Sequence, residues 1–520
     1  MTAREYHDRT THSPASVRTG GHTLEWDIKP FPFKVYTDLA AIALPREIDP
    51  VGIDTLAALA DPAAPAASLG LSRLAAVLYY AAGVTKKKSY PGGGEILFRA
   101  AASTGALYQT EAYVAVGEVA GLEPGLYHFC PGDFALRRLR AGDIRTALAE
   151  AAADDAIRRR AATIVLSAIY WRNTWKYQAR AYRHLFWDSG TMLANVLAVG
   201  GALGLEPRVL TGFVDADVNR LLGLDATHEV ALELIAIGPE TAAAPSAAPL
   251  DTIAHATLPL SSSEVDYPLI HEMQAASRLD SAAAVRAWRE RGSTIGRSPS
   301  RVEPATDPAA AKLVALPPPR EQASRGLGET IQRRGSTRQF GHASLTTEEL
   351  ATALWAAARP FEADVPSGLV DVYLIVNAVD GVSPGAYFYR PAEHALEPLS
   401  LGNLRNRSAY LCLEQPLAGD ASAVIYFLTR LDRVTSALGD RGYRVVNLEA
   451  GLAGGRAYLA AYALGFGASG LTFYDGHVVE FFSPHAARKD AIFVTALGRS
   501  GVGGRVNIES NLITRRRPSG

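Results

Sequence analysis

Small and apolar residues recur at helical spacing in two long segments of the chain. Residues 180–204 read RAYRHLFWDSGTMLANVLAVGGALG, and residues 441–465 read RGYRVVNLEAGLAGGRAYLAAYALG. Each segment ends in glycine, which is typical of a long, closely packed helix that stops at that residue. The two segments align without a gap at an offset of 261 residues, so the pattern predicts the same helix twice.

The regions around these helices repeat as well. The motif Tyr-Val-Ala-Val at 113–116 matches Tyr-Leu-Ile-Val at 373–376, and Gly125 and Gly238 match Gly385 and Gly498, all at an offset of 260. Chance similarity between two alanine-rich helices would not extend to these flanking positions. We therefore predict two copies of one domain.

The remaining pattern predicts strands and shorter helices in each copy. Helices are expected over 71–83, 143–153, 280–292 and 345–359, and strands or hairpins over 111–116, 125–139, 162–170, 230–238 and 490–498. The order is not a regular βαβ series, and no GxGxxG motif follows a strand. We predict an α+β fold with a mixed sheet flanked by helices in each domain, which disfavours a nicotinamide-binding Rossmann domain.

Composition divides the chain into five parts. Proline- and alanine-rich sequence between the copies predicts a semi-rigid linker, and the prolines near the start predict an irregular arm. The predicted parts are an arm at 1–50, the first domain at 51–238, the linker at 239–325, the second domain at 326–503 and a disordered tail at 504–520.

Charge and cysteine content limit the classes of protein to which the chain can belong. The chain has 520 residues, 48% of them hydrophobic, with a formal net charge of −1 and two cysteines. We therefore expect a cytoplasmic protein without nucleic-acid or membrane partners and without a disulfide framework or metal site. His7 and His12 flank Asp8 at a metal-like spacing, but a capped turn explains this segment better.

One basic segment suits a phosphate group. Arg334, Ser336 and Arg338 lie in the sequence Arg-Gly-Ser-Thr-Arg, which combines two forked guanidinium donors with a hydroxyl and turn N–H groups. From composition alone, a solvated basic helix end is the alternative.

Two segments of the first copy add further candidates. Ser103, Thr104 and Gly105 lie in a run of small residues that would let a flat ligand approach the backbone, although a tightly packed turn is the alternative. Lys176 and Tyr177 follow Trp175 and suit proton transfer if burial moves their pKa values. A surface lysine beside an interface aromatic is the alternative for this pair.

These segments resemble the nitroreductase-like FMN flavoproteins, specifically the SagB-type azoline dehydrogenase branch. RGSTRQF at 334–340 resembles the family's amino-terminal Arg-x-Ser-x-Arg-x-Phe motif, and FRAAASTGALYQTEAY at 98–113 resembles its Arg-x-x-Pro-Ser-Ala-Gly-Ala-Leu-Tyr segment. WKYQARAYRHLFWDSG at 175–190 and LGDRGYRVVNLEAG at 438–451 resemble its Lys-Tyr and Glu-Ala-Gly block. Ala102 and Thr110 replace prolines of the motif, which bears on substrate fit.

The resemblance implies one composite FMN site in an intramolecular pseudo-dimer. The first copy lacks the Arg-x-Ser-x-Arg motif, and the second lacks the small-residue segment and the Lys-Tyr pair. The implied ligands of the phosphate are Arg334, Ser336, Arg338 and Arg499. The implied neighbours of the flavin ring are Ser103, Thr104 and Gly105 from the first domain and Gly470, Leu471 and Thr472 from the second.

The resemblance also implies an activity. It suggests oxidation of a peptide thiazoline or oxazoline to the azole, with Lys176 and Tyr177 managing the proton and a cyclodehydratase as partner. The alternatives are an NAD(P)H-dependent nitroreductase or flavin reductase acting on a small molecule, and a non-catalytic flavin-binding or scaffold subunit of a peptide-modifying complex. A pseudo-dimeric monomer and a higher homo-oligomer both fit the sequence.

Overall fold

Two seven-stranded antiparallel sheets, each flanked by helices, make up the protein. The computed structural model describes residues 1–20, 22–48, 50–60, 64–89, 95–246, 251–295 and 312–501, so the predicted tail at 504–520 lies outside the described residues. The α+β fold and the tandem pseudo-dimer are confirmed. All strand pairs are antiparallel, so the predicted mixed sheets are wrong in strand direction.

The N-terminal arm contains short helices that the sequence does not predict, and the first domain contains the predicted helices and strands together with an additional hairpin. The arm contains α1 (Ala3–Arg9), α2 (Pro14–Thr19) and β1 (Ala41–Ala43). The domain contains α3 (Thr55–Leu59), α4 (Leu71–Ala82), β2 (Val84–Ser89), β3 (Glu95–Arg99), β4 (Thr110–Val116), β5 (Gly125–Cys130), β6 (Ala135–Ala141), α5 (Arg145–Ala152), β7 (Arg160–Ile169), α6 (Tyr170–Tyr177), α7 (Ala181–Ala202), β8 (Arg208–Leu210), α8 (Asp215–Leu222) and β9 (Glu229–Glu240). Its sheet has the order β1-β6-β5-β4-β7-β9-β8, and β2 and β3 form a separate hairpin.

The second half of the chain repeats this architecture. It contains α9 (Pro268–Ala276), α10 (Ala282–Ser293), β10 (Val314–Ala315), α11 (Leu327–Arg333), α12 (Thr347–Ala358), β11 (Asp371–Val376), β12 (Gly385–Arg390), β13 (Ala395–Leu401), α13 (Arg405–Leu411), α14 (Pro416–Asp420), β14 (Ala423–Thr429), α15 (Leu431–Leu438), α16 (Gly442–Leu464), β15 (Gly467–Gly470), α17 (Asp475–Phe482) and β16 (Asp490–Gly498). Its sheet has the order β10-β13-β12-β11-β14-β16-β15. Short 3₁₀ turns lie at Trp26–Ile28, Thr104–Ala106, Asp155–Arg159, Gln178–Arg180 and Gly439–Arg441.

The arm is more ordered than its prolines suggest. Thr2 and Glu5 form a capping box that starts α1, and Ser13 caps α2. The prediction of an irregular arm at 1–50 is wrong there, because local caps satisfy the first N–H groups of both helices. Thr346 and Glu349 also form a capping box at the start of α12.

The repeated helices α7 and α16 cross in direct backbone contact. A Cβ added to Gly190 would lie 2.3 Å from the carbonyl oxygen of Leu448, and one added to Gly451 would lie 2.3 Å from that of Trp187. Gly190 and Gly451 are equivalent positions of the repeat, so the crossing lies on a pseudo-two-fold axis. Buried hydrophobic side chains continue from one sheet through both helices to the other sheet.

Reciprocal ion pairs flank this crossing. Arg183 donates to Asp475 at 2.6 Å, and Arg444 donates to Asp215 at 2.7 Å, so each helix contacts a carboxylate of the opposite domain. All four side chains are buried, and the paired arginines hold the pKa values of both carboxyls below their usual range despite burial. Two further pairs complete the sets, Arg180 with Asp475 at 3.0 Å and Arg441 with Asp215 at 2.6 Å.

The arm and the predicted linker occupy equivalent positions about the same axis. The His12 N–H donates to Asp475 at 2.8 Å, and the Leu279 N–H donates to Asp215 at 2.9 Å. Helix α1 leads into the first contact and α9 into the second. The described part of 239–325 is therefore folded onto both domains, which differs from a plain spacer.

We predict that Gly190→Ala lowers the free energy of unfolding by about 3 kcal/mol or more, because the new methyl group meets backbone atoms that cannot move independently. Chemical denaturation measures the change. Gly476→Ala is the matched control, since Gly476 lies in α17 with open space around its Cβ position, and we expect it to stabilise by about 0.4–1 kcal/mol. Equal effects of the two substitutions would contradict the close crossing.

Candidate functional site

The turn after α11 joins the two domains at the candidate site. The Arg334 guanidinium is buried and donates from Nε to the Ala100 carbonyl at 2.8 Å and from Nη2 to the Arg99 carbonyl at 3.1 Å. It also lies 5.7 Å from the ring centroid of Tyr458. These contacts fix the start of the 334–338 segment against the first domain.

Tyr458 connects this segment to the exposed end of β15. Its hydroxyl lies 3.2 Å from the Ser336 hydroxyl and accepts a hydrogen bond from the Gly470 N–H at 2.5 Å. Ser336 and Gly470 therefore lie close together. Tyr458 lies on α16 and was not identified from the sequence, because no local motif distinguishes it from a core tyrosine.

Lys86 adds a further positive charge to the segment. Its ammonium group donates to the carbonyls of Arg333 at 2.6 Å and Arg334 at 2.7 Å. Burial, together with the charges of Arg334 and Arg333, lowers the pKa of Lys86 to about 8. The sequence predicts a flexible loop over 85–95, whereas β2 pairs with β3 and projects Lys86 toward the second domain.

Arg338 lies beside the predicted proton-transfer pair. Restricted hydration lowers the pKa of Lys176, and the charge of Arg338 lowers it as well. Burial and the charge of Asp188 raise the pKa of Tyr177, which Arg338 opposes. The Lys176 ammonium lies 5.3 Å from the ring centroid of Tyr177. The structure thus brings together Arg338 of the second domain and both candidate residues of the first.

Asp188 of α7 holds the small-residue segment in place. It accepts hydrogen bonds from the Ser103 hydroxyl at 2.5 Å, from the Thr104 N–H at 2.8 Å and from the Gln109 amide at 2.7 Å. Burial raises the pKa of this carboxyl to about 6, although the hydrogen bonds act in the opposite direction. The Ser103 hydroxyl is directed at Asp188, so this segment offers a ligand mainly the backbone around Gly105.

Gly105 contacts the proton-transfer pair directly. Its φ is +66°, and an added Cβ would lie 3.0 Å from the Tyr177 hydroxyl. Backbone in this region favours glycine, and the close contact leaves no room for a side chain.

Other predicted residues have separate partners. Arg499 forms an ion pair with Glu349 of α12 at 2.7 Å, which directs its guanidinium toward that helix. The Leu471 N–H donates to the Val494 carbonyl at 3.1 Å inside the sheet. The Thr472 hydroxyl accepts a hydrogen bond from Gln415 at 3.4 Å. Within the described part of the chain, no side chain of these three residues hydrogen-bonds to Ser336 or Tyr458.

The equivalent groove on the other side of the axis is filled by the chain itself. Asp364 lies at the repeat position of Thr104, and its carboxylate accepts hydrogen bonds from the N–H groups of Thr211 and Gly212, each at 2.8 Å. Arg289 of α10 donates to the same carboxylate at 2.8 Å. Thr211 and Gly212 correspond to Leu471 and Thr472, so Asp364 occupies N–H groups whose counterparts in the second domain have other surroundings.

Comparison with known sequences identifies the family. The nitroreductase family profile matches residues 60–238 and 331–487, which is more than half of the chain. The chain belongs to the nitroreductase family. Nitroreductase domains typically bind flavin and act as oxidoreductases.

Relatives cover one domain or the whole chain. MJ1384 of Methanocaldococcus jannaschii, whose nitroreductase assignment is provisional, is 30% identical over 163 residues, or 30% of this chain and 82% of its own. A structure from Anabaena variabilis ATCC 29413, also provisionally a nitroreductase, matches with a TM-score of 0.77 and 27% identity over 96% of this chain and 99% of its own. The tandem nitroreductase arrangement therefore recurs in one solved chain.

One further solved structure matches at a lower level. The E. coli microcin synthetase McbBCD complex with truncated pro-MccB17 matches at a TM-score of 0.30 and 19% identity, over 46% of this chain and 88% of the matched chain. No helix in the described ranges is both long and apolar enough to cross a membrane.

We predict that Gly105→Ala destabilises the protein by about 1–3 kcal/mol more than Gly439→Ala, because overpacking against Tyr177 adds to the backbone cost. Gly439 is the matched control: its φ is +59°, and its Cβ position is open. Thermal unfolding of the two variants measures the difference. Indistinguishable unfolding temperatures would show that Gly105 does not pack against Tyr177 closely enough to matter.

Proposed function

We propose that this nitroreductase-family protein is an FMN-dependent oxidoreductase with one composite flavin site per chain. The observation that carries the proposal is the difference between its two grooves. On one side of the axis Arg334 and Lys86 surround the turn that contains Ser336, and Arg338 follows two residues later. A phosphate group would stabilise these positive charges. On the other side the Asp364 carboxylate occupies the N–H groups that correspond to the proposed flavin-ring wall at 471–472.

The residues of the turn would contribute to FMN binding in two different ways. Ser336 and Arg338 would bind the phosphate directly, because both are at least partly exposed on the turn. Arg334 and Lys86 would contribute charge while they hold the turn through backbone carbonyls. Arg499 has a contribution only if its ion pair with Glu349 exchanges for the ligand, so we place it outside the primary set.

The flat part of FMN would lie between segments of the two domains. Gly105 and its neighbours Ser103 and Thr104 would form one wall, and the exposed Gly470 with Leu471 and Thr472 would form the other. When bound, FMN supplies a two-electron acceptor for a hydride. The chain supplies the geometry, which Asp188 maintains on one side and Tyr458 on the other.

Lys176 and Tyr177 would have different roles in handling the proton. A lowered pKa raises the fraction of Lys176 that is neutral, so its amine can accept a proton from substrate carbon. The raised pKa of Tyr177 keeps the phenol protonated, so it can donate a hydrogen bond that orients the substrate. The amine is therefore the proposed base.

The substrate class we propose is a peptide thiazoline or oxazoline. Its oxidation removes a hydride and a proton, forms an aromatic ring, and requires the acceptor and base described above. The resemblance of the Lys-Tyr block to azoline dehydrogenases supports this choice and implies a cyclodehydratase partner in the cytoplasm. The rival function is an NAD(P)H-dependent nitroreductase, which uses the same flavin site.

We predict one FMN per chain. The absorption spectrum and flavin content of the purified protein measure the stoichiometry, and Arg338→Ala should lower FMN affinity at least tenfold because a charge-assisted contact is lost. Arg433→Ala removes an exposed arginine of the same domain and should leave flavin content unchanged. Two FMN molecules per chain would refute the composite site, and no bound flavin would favour a scaffold.

We predict that an azoline peptide bleaches the flavin absorbance and that Lys176→Ala abolishes this reaction while FMN stays bound. The rate in the unmodified protein should rise with pH through one ionisation below about 10.4, since the neutral amine is the active form. Lys312→Ala removes an exposed lysine and should retain the full rate. Rapid bleaching by NAD(P)H but not by the peptide would support the nitroreductase, and unchanged turnover in Lys176→Ala would refute its role.

A further inference from the structure

A second cavity lies in the second domain, away from the proposed flavin groove. Its volume is about 590 Å³, within the range of small-molecule sites. It lies between α12, the segment before β11 and one face of α16. The residues that matter for its chemistry are Trp355, Phe361, Tyr389, Glu449, Ala453 and Arg456.

The cavity exists because the two copies place one segment differently. In the first domain, Ser103 and Thr104 pack on Asp188, and the equivalent space beside Met192 is only about 10 Å³. In the second domain, Asp364 crosses to the opposite groove instead. The repeat position of Met192 is Ala453, which leaves the space behind the displaced segment open.

Glu449 brings an unpaired acceptor to this cavity. It corresponds to Asp188 within the repeat, and its side chain is only 6% exposed. Its Oε1 accepts hydrogen bonds from the N–H groups of Gly368, Leu369 and Val370 at 2.8–3.1 Å. Its Oε2 has no hydrogen-bond partner among the described residues, and a buried oxygen in that state is unfavourable unless a ligand or water supplies a donor.

Arg456 provides a donor close to the same carboxylate. It is 8% exposed and donates from Nη1 to the carbonyls of Arg359 at 2.5 Å and Pro360 at 3.3 Å. Arg359 and Pro360 repeat Arg99 and Ala100, whose carbonyls Arg334 contacts in the flavin groove. A helix arginine thus replaces the phosphate-binding turn, and residues 60–70 of the first domain contain no arginine. This replacement argues against a second FMN site.

The polar pair restricts the ligand to a neutral group that both donates and accepts. A carboxylate brings no donor for the unpaired Oε2 of Glu449, and an ammonium group would be repelled by Arg456. An amide offers an N–H to the unpaired Oε2 and a carbonyl to the guanidinium, so it satisfies both. Trp355, Phe361 and Tyr389 line the cavity with aromatic rings, which favour a flat apolar body.

We propose that this cavity binds a small planar aromatic amide, with its N–H on Glu449 and its carbonyl toward Arg456. The site does not depend on the flavin groove, so the proposal stands apart from the proposed function. A free aromatic amide and the amide of an aromatic residue in a peptide share this chemistry.

Calorimetric titration of the full-length protein with benzamide tests the proposal. Benzamide should bind at least tenfold more tightly than benzoate, which has the same ring but a negative charge. Glu449→Gln should weaken benzamide binding about tenfold, because the amide nitrogen of glutamine presents a donor where the ligand needs an acceptor. Glu480→Gln, an exposed carboxylate of the same domain, is the control and should change the affinity less than twofold.

Ala453→Met gives a second, independent variant. It introduces the residue that the first copy already has at this position, so it fills the cavity while Glu449 and its loop contacts remain. Binding should fall at least tenfold, with flavin content and unfolding temperature close to those of the unmodified protein. If one variant fails to fold, the other still tests the site.

A capped phenylalanine amide distinguishes the two sources of the ligand. Tighter binding than benzamide, with the same sensitivity to Glu449→Gln, would support a peptide ligand, and weaker binding would support a free aromatic amide. Absence of benzamide binding, equal binding of benzoate, or binding that survives both Glu449→Gln and Ala453→Met would overturn the proposal.

Discussion

The backbone contact between α7 and α16 at Gly190 and Gly451 is the constraint on which the other features depend. Only glycine allows the two helices to approach this closely, and the approach brings both domains to one axis. Asp188 and Glu449 lie within one turn of the crossing, where Asp188 binds the Ser103 segment and Glu449 faces the cavity of the second domain. The reciprocal ion pairs then orient the domains about the crossing and bury charges that are stable only while both domains are present.

The two domains are related by a pseudo-two-fold axis, but the sites on its two sides differ. The same repeat position is Thr104 in one copy and Asp364 in the other, and this difference directs one segment back onto α7 and the other across to the opposite domain. The first arrangement keeps the segment on Asp188 of its own domain. The second places Asp364 on Thr211 and Gly212 of the first domain and leaves a cavity beside Glu449. One displaced segment therefore accounts for both differences between the halves.

The sequence supports the repeat and much of the basic turn, but not their surroundings. The offset of 260–261 residues identifies the two domains, since the elements from β4 to β9 recur from β11 to β16 at nearly constant spacing. The role of Lys86 depends on a hairpin that reaches the other domain, and neighbouring residues carry no signal of that contact. The equivalence of α1 and α9 is hidden because backbone N–H groups, such as those of His12 and Leu279, make the repeated contacts. The identity of a residue does not reveal whether its backbone N–H makes such a contact.

The closure of one side of the pseudo-dimer by Asp364 has a consequence for how such a protein can arise. In a dimer of identical chains, a residue that closes one groove must close the other, because every substitution appears twice. A single chain with two copies escapes this rule, so one groove can be lost while its partner is kept. Covalent linkage also fixes the ratio of the two halves at one to one at any dilution. The cost of losing a site is then confined to the half that no longer uses it, and that half is free to acquire a different ligand.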